Sequence, residues 1–497
     1  MDYLIRFSQS HETFRLPEIE ALALLEGVDL QVISYSLESP FCIVRLPSED
    51  SARRLIRRSI LAMSIHELWA HAPDLATLHS TIQSTTAHLW PAYRTCSFKF
   101  TIDSYQGSRP NDAKVKLIES FSYLGFEGPI VMRGTDEEFV IFEDWPTNAT
   151  RLGIPEPKHL YFGRYLGGGA RDLPKKLDLK KRRYISTTSM DAELALVTAN
   201  LALAAPGKLV YDPFVGTGSF PIACAQFGAL TFGSDIDGRS IRGDGKKRTL
   251  KGNFEQYGLL AGLGGMFTAD LTNSPVRRAP LRYDGDGVTG RLFDAVVCDP
   301  PYGVREGLKV LGVRDPVKSA GVEKRGMEKY KDPDFVPPKK PFSFLAMLDT
   351  ILQFSAQTLV DNGRLSFWMP TANDEDQEIP VPTHPYLEIV SVCTQTFNKW
   401  SRRLITYRRI PDAQVDQEAM RKREEAKPVG KTADELNPFR KAYFSKFESP
   451  TPTNGSSPSG VGTPNPTATP PPPPQPQPST TSSSSISGAI GGAETGE

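Results

Sequence analysis

The stretch Lys208-Leu209-Val210-Tyr211-Asp212-Pro213-Phe214-Val215-Gly216-Thr217-Gly218-Ser219 decides how this chain folds. A short apolar strand runs into a glycine-rich turn, and an apolar helix-like segment, Phe220 to Phe227, follows. Strand, turn and helix in that order open a nucleotide-binding α/β sheet. Glycines at 216 and 218 let the main chain approach a ligand closely, and the helix start supplies unpaired N–H groups. The pattern lacks the third glycine of the dinucleotide fingerprint and the lysine of a phosphate-binding loop, so it fits neither NAD nor ATP well. Asp212, Pro213, Phe214, Gly216, Thr217 and Gly218 are the candidate cofactor loop.

Downstream strands add acids at matching places. Leu230 to Ser234 ends at Asp235-Ile236-Asp237, where a carboxylate can accept both hydroxyls of a ribose. Met266 to Ala269 ends at Asp270, placed to accept from the exocyclic amine of adenine. A glycine turn followed by serial strand-end acids suits S-adenosylmethionine. A further buried strand, Leu292 to Cys298, ends at Asp299-Pro300-Pro301-Tyr302. Asp-Pro and Pro-Pro are also ordinary loop punctuation. At ~5% usage per residue type, however, a given tetrapeptide arises by chance in roughly three per thousand chains of this length.

The tetrad suits the methylation of an amino group on an aromatic ring. Such a nitrogen is a poor nucleophile because its lone pair is delocalised into the ring. A carboxylate accepting one N–H and a backbone carbonyl accepting the other draw it toward a pyramidal geometry. The prolines fix the directions of the Asp299 and Pro300 carbonyls. Tyr302 offers a face for stacking, and Asp299 can relay the departing proton. The residues alone leave guanine N2, adenine N6 and cytosine N4 open as targets. They also leave open a scaffold that binds nucleic acid without methylating it.

Lys plus Arg equals Asp plus Glu at 58 each, so any nucleic-acid surface is local rather than global. The five cysteines (Cys42, Cys96, Cys224, Cys298, Cys393) are scattered without metal-ligand spacing. That predicts buried free thiols, no metal site in this chain, and a reducing, cytoplasmic setting. Neither a secretory h-region nor a bilayer-spanning run is present, so a soluble protein is expected.

The fold class expected is α/β: a Rossmann-like domain at 171–410 preceded by two smaller α+β units. Residues 1–74 read β-α-β-β-α-β, a ferredoxin-like order, with strands at Tyr3–Phe7, Gln31–Tyr35, Phe41–Leu46 and Ile65–Trp69. Residues 75–170 read as a second mixed unit, with strands near Ser97–Ile102, Ile130–Arg133, Phe139–Phe142 and Leu160–Tyr165. A basic connector, including Lys180, Lys181 and Arg182, is a candidate phosphate contact. In the catalytic domain Ser189 or Asp191 caps a helix, and a hairpin pairs Leu387–Thr394 with Arg403–Tyr407. A polar insertion between Tyr302 and Pro341 carries Arg305 and further cations, expected to form a lid or substrate clamp. Residues 411–497 pass from a charged helix-like stretch to a Pro/Ser/Thr-rich tail whose composition predicts disorder.

Several stretches carry a resemblance to a known family: Phe14-Arg15-Leu16-Pro17-Glu18, Tyr123 to Gly128, Asp212 to Ser219, Ser234 to Arg239, Cys298 to Arg305, Phe367 to Asp374 and Phe397 to Arg403. Through them the chain resembles, to roughly Arg408, the catalytic subunits of eukaryotic tRNA guanosine-10 N2-methyltransferases. The resemblance implies a ferredoxin-like domain, an RNA-binding THUMP domain and a class I methyltransferase domain that uses S-adenosylmethionine. It implies a small zinc-binding activating subunit as partner, tRNA as substrate, and guanine N2 as the nitrogen methylated. By position it assigns Asp212, Gly216 and Gly218 to the cofactor loop, Asp235 and Asp270 to ribose and adenine, and Asp299 to Tyr302 to catalysis. Asn398, Trp400, Arg402 and Arg403 are expected along the same face. The chain departs from the family pattern in its tail and in the segment Asn273 to Arg291.

Overall fold

In the computed structural model the N-terminal strands form one seven-stranded sheet, in the order β2-β3-β1-β4-β7-β6-β5. Its members are β1 (Asp2–Phe7), β2 (Gln31–Tyr35), β3 (Phe41–Arg45), β4 (Ala62–Ala72), β5 (Phe98–Tyr105), β6 (Glu137–Asp144) and β7 (His159–Gly168). The structure describes residues 1–246, 248–281, 290–302, 308–312, 338–372, 379–397 and 400–425. Arg305, Asn398, most of the insertion's other cations and the Pro-rich tail lie outside them.

Apolar alternation sets the strands and polar caps start the helices. The Ser48 side chain accepts from Ser51 N–H at 3.2 Å to open the helix Glu49–Ile56. β4 pairs with β7 from Ser64↔Gly168 to Ala72↔Leu160, so strands on both sides of residue 74 share one sheet. The expected strand at Ile130–Arg133 is instead a single bridge from Ile130 to Phe98. Pro129 has no N–H to donate to a ladder, and Ile130 is 72% exposed, so nothing rewards further pairing.

The second sheet also has seven strands, in the order β10-β9-β8-β11-β14-β16-β15. They are β8 (Leu209–Asp212), β9 (Leu230–Asp235), β10 (Leu263–Thr268), β11 (Phe293–Cys298), β14 (Leu359–Ala372), β15 (Leu387–Thr396) and β16 (Trp400–Arg409). A small ribbon of β12 (Lys309–Leu311) and β13 (Lys339–Pro341) stands apart from it. The run from β10 to β14 is parallel, and β16 and β15 extend it as an antiparallel hairpin. Chain order reverses between β8 and β11. In a parallel sheet that switch point opens a crevice at the strands' carboxyl ends. Asp191 caps the helix Ala192–Leu201 as expected, accepting from Glu193 N–H at 2.9 Å. The helix Phe344–Thr358, which the sequence reading did not anticipate, covers the sheet before β14.

The two sheets share one hydrophobic core. Glu18, wholly buried on the helix Glu12–Glu26, accepts from Ile60 and Leu61 N–H, both at 2.9 Å, and from Ser59 Oγ at 2.8 Å. Asn200, on the helix Ala192–Leu201, donates to the same carboxylate at 2.6 Å and accepts from the Arg58 guanidinium at 2.8 and 3.0 Å. Arg58 also lies 3.9 Å from the Phe227 ring centroid. This polar knot fastens the N-terminal unit to the second sheet.

Candidate active site

β8 delivers Asp212 to the switch point, where it is buried and accepts from Phe214 N–H at 2.9 Å. Burial first, then the nearby Asp235 and Asp299, holds its carboxyl well above the usual carboxylate range. Pro213 is buried, while Phe214 packs half-buried against the core. The turn then takes positive φ twice, 50° at Gly216 and 89° at Gly218, a conformation that favours glycine. A Cβ at Gly216 would meet only the Phe214 carbonyl, at 3.9 Å, so one side of the loop is open to a ligand. Thr217 faces inward, its hydroxyl 2.9 Å from Ser189 Oγ.

The acid after β9 shapes this loop. Asp235 accepts from Gly216 N–H at 2.9 Å and from Asp237 N–H at 2.8 Å, and burial raises its pKa. Asp237 caps Arg239 N–H at 3.0 Å and pairs with the Arg239 guanidinium at 2.6 Å, which lowers its pKa to about 2. Asp270 is buried beyond β10 and accepts from Thr272 N–H at 2.9 Å and from Leu311 N–H of β12 at 2.7 Å. The ribbon is thereby tied to the strand-end acids.

Asp299 follows β11, which pairs in parallel with β8 through Val296 and Tyr211 just before Asp212. Tyr302 donates its hydroxyl to the Asp299 carboxylate. Burial lifts Asp299 to about 6, against the opposing pull of Arg402 and the Tyr302 hydroxyl. Pro300 is buried and Pro301 exposed. Beside the Tyr302 ring, edge-on at 6.4 Å, lies Trp400, itself stacked on Phe397 at 4.7 Å. Arg402 occupies the same end of the sheet, opposite Pro370 on β14 and Gln395 on β15.

The sheet end therefore brings together Asp212, Gly216, Asp235, Asp299, Tyr302, Trp400 and Arg402. Two arginines read as substrate contacts go elsewhere. Arg182 is buried and donates to Ser219 Oγ at 3.0 Å, bracing the helix that starts at the glycine turn. Arg403, one residue along from Arg402, is buried on the other face of β16 and donates to the Ile379 carbonyl. Lys180 and Lys181 are exposed on a turn outside the sheet, and Lys181 Nζ donates to the Lys175 carbonyl at 2.6 Å. Of the two residues that hold Arg402, Gln395 was not singled out from the sequence, and Trp368 was marked only within the stretch Phe367 to Asp374, without a role.

A parallel sheet of this order, with a Gly-x-Gly turn and an Asp-Pro-Pro-Tyr tetrad at its switch point, defines a Rossmann-like class I methyltransferase. The tRNA (guanine(10)-N(2))-methyltransferase of Saccharomyces cerevisiae is 42% identical over 411 residues, covering 82% of this chain and 92% of the relative. The Schizosaccharomyces pombe protein of the same name is 36% identical, covering 83% and 90%, and the human one, TRMT11, 35%, covering 82% and 88%. The chain belongs to this family. Residues 1–171 match the family described as Tmrp11 THUMP N-terminal domain. TrmN from Thermus thermophilus is 15% identical over 82% of this chain and 100% of that one, at a TM-score of 0.38, so the fold rests on the topology above.

Proposed function

We propose that this chain transfers a methyl group from S-adenosylmethionine to the exocyclic N2 of guanosine-10 in tRNA. The observation that carries the reading is the Asp299 carboxylate at the switch point, at the same sheet end as Asp212, Asp235 and the open side of Gly216. These residues fit the cofactor, because Gly216 leaves main chain accessible and Asp235 and Asp270 have further lone pairs for ribose and adenine. Asp212, Pro213, Phe214, Gly216, Thr217, Gly218, Asp235, Asp237 and Asp270 would hold it. When bound, it supplies an activated methyl group.

The chain's own residues prepare the nucleophile. One Asp299 oxygen accepts the Tyr302 hydroxyl and the carboxylate also accepts an N–H of guanine N2, while the Pro300 carbonyl accepts the other. Both draw the lone pair out of conjugation and toward the methyl donor. Asp299 then takes the proton that the methylated nitrogen releases. The base must leave its helical stack, at about a few kcal/mol, and the Tyr302 and Trp400 rings receive it. Lys180 and Lys181 contact backbone phosphate, and the N-terminal unit grips a distant part of the tRNA so that position 10 reaches the crevice. A domain division at residues 74, 170 and 410 belongs to the same reading. So does a heterodimer with a small zinc-binding activating subunit, supported by the family resemblance. Five free cysteines, four of them buried, support a cytoplasmic setting.

The test is nucleoside mass spectrometry of tRNA incubated with the chain, its small partner and labelled S-adenosylmethionine. N2-methylguanosine at position 10 is expected. Label on an adenine or cytosine amine, or no label, would overturn the reading.

A further inference from the structure

Arg402 is held from three sides. Its guanidinium carbon lies 4.7 Å from the Trp368 ring centroid and 5.7 Å from that of Phe397, within cation–π range. Nε donates to Gln395 Oε1 at 2.6 Å. The same guanidinium acts electrostatically on Tyr302 and Asp299, and Phe397 beneath it stacks on Trp400, which meets the Tyr302 ring edge-on at 6.4 Å. A guanidinium fixed by stacking and by a bidentate-capable fork keeps its direction in a way a lysine would not.

The supports of Arg402 lead back to the N-terminal unit. Trp368 is wholly buried, with Phe14 stacked on it at 5.8 Å and its indole N–H donating to Thr198 at 3.2 Å. Thr13 Oγ1 donates to the Thr394 carbonyl at 3.0 Å and accepts from Thr394 N–H at 2.9 Å, immediately beside Gln395. His11, just before that helix, takes φ 54°, a left-handed conformation uncommon for a residue with a side chain. Its ring packs edge-on against Phe14 at 5.8 Å.

Resting on the functional reading above, we propose that Arg402 is a positioning residue for the catalytic carboxylate. Its guanidinium holds the Tyr302 hydroxyl on one Asp299 oxygen so that the other meets the substrate amine, and Thr13 and Phe14 lock that arrangement from the N-terminal unit. The groups facing Asp299 are Arg402 from β16, Tyr302 of its own turn, Asp212 from β8 and the thiol of Cys298. Among the described residues, Arg402 is the cation that acts on Asp299. Removing it therefore makes Asp299 harder to ionise, and the acid limb of the rate profile moves up.

The experiment is single-turnover methyl transfer by the full-length enzyme on tRNA across pH. Arg402→Gln should lower the plateau about tenfold or more. It should also raise the acid limb by about one pH unit, with S-adenosylmethionine affinity unchanged. Arg402→Lys should return the limb partway, and Thr13→Val should shift it less but in the same direction. Should Arg402→Gln fail to fold, Gln395→Met, which frees the guanidinium and keeps its charge, must still lower the plateau. An unmoved limb in Arg402→Gln, with a raised KM for tRNA and a weaker salt dependence, would make Arg402 a phosphate contact and overturn the proposal. So would an unchanged plateau in Gln395→Met. A wild-type enzyme that methylates a different amine would remove the functional reading yet leave this test standing, since the limb is read on any product.

Discussion

The molecule carries two seven-stranded sheets that differ in what they do with strand ends. In the first, every neighbouring pair except β5 with β6 is antiparallel, so successive strands finish at opposite edges. Its charged groups turn to one another instead, as Arg164 does with Glu49, Glu67 and Glu137 at 2.5, 2.9 and 3.3 Å. In the second, β10, β9, β8, β11 and β14 run the same way. Their carboxyl ends deliver Asp270, Asp235, Asp212 and Asp299 to one edge. Parallel order concentrates acids at one edge, where burial raises Asp212, Asp235 and Asp299, while antiparallel order disperses charge and makes a platform. One sheet can react, and the other can hold.

The contrast breaks first at the joint. Glu18→Ala should strand the Ile60 and Leu61 N–H groups, Ser59 and Asn200, at a cost of about 3 kcal/mol. Chemical denaturation measures it. Methyl transfer per folded molecule should fall as well, because the same helix carries Thr13 and Phe14. Next comes the reactive edge itself. Asp235→Ala removes the acceptor of the Gly216 and Asp237 N–H groups, and S-adenosylmethionine affinity by calorimetry should drop about tenfold to a hundredfold. Stability should change less than in Glu18→Ala.

A pH series sharpens the comparison further. Burial lifts Asp299 to about 6, and in the proposed mechanism only its ionised form can take the proton that the methylated nitrogen releases. The single-turnover rate should be flat above that value and fall about tenfold per pH unit below it. The smallest effect belongs to an exposed pair. Arg239→Ala breaks a surface contact with Asp237 and should cost less than about 1 kcal/mol of stability by thermal melting.

The same contrast explains what was legible in the sequence. Strands of the parallel half are near-continuous apolar runs closed by an acid, so β11 was read to within a residue at either end. The hairpin of β15 and β16 was legible too, and so was the β-α-β-β-α-β opening. The helix Phe344–Thr358 escaped because it follows the long polar insertion. Its own signals were nonetheless present: Ser343 as cap, and Phe344, Met347, Leu348, Ile351 and Leu352 on one face. Charge was visible but its direction was not. Arg402 and Arg403 read as equals, although strand alternation sends one toward Trp368 and the other toward Ile379. Arg182 belongs to the same class, a cation in a basic run that the fold turns inward.

The most direct measurement is single-turnover methyl transfer to tRNA by Asp299→Asn, with S-adenosylmethionine and tRNA binding measured in parallel. The amide keeps the shape of the carboxylate but loses its charge and its capacity to take a proton. A rate lowered by about a thousandfold or more, with both affinities within a few-fold of wild type, is the predicted result. Transfer within tenfold of wild type would contradict the account.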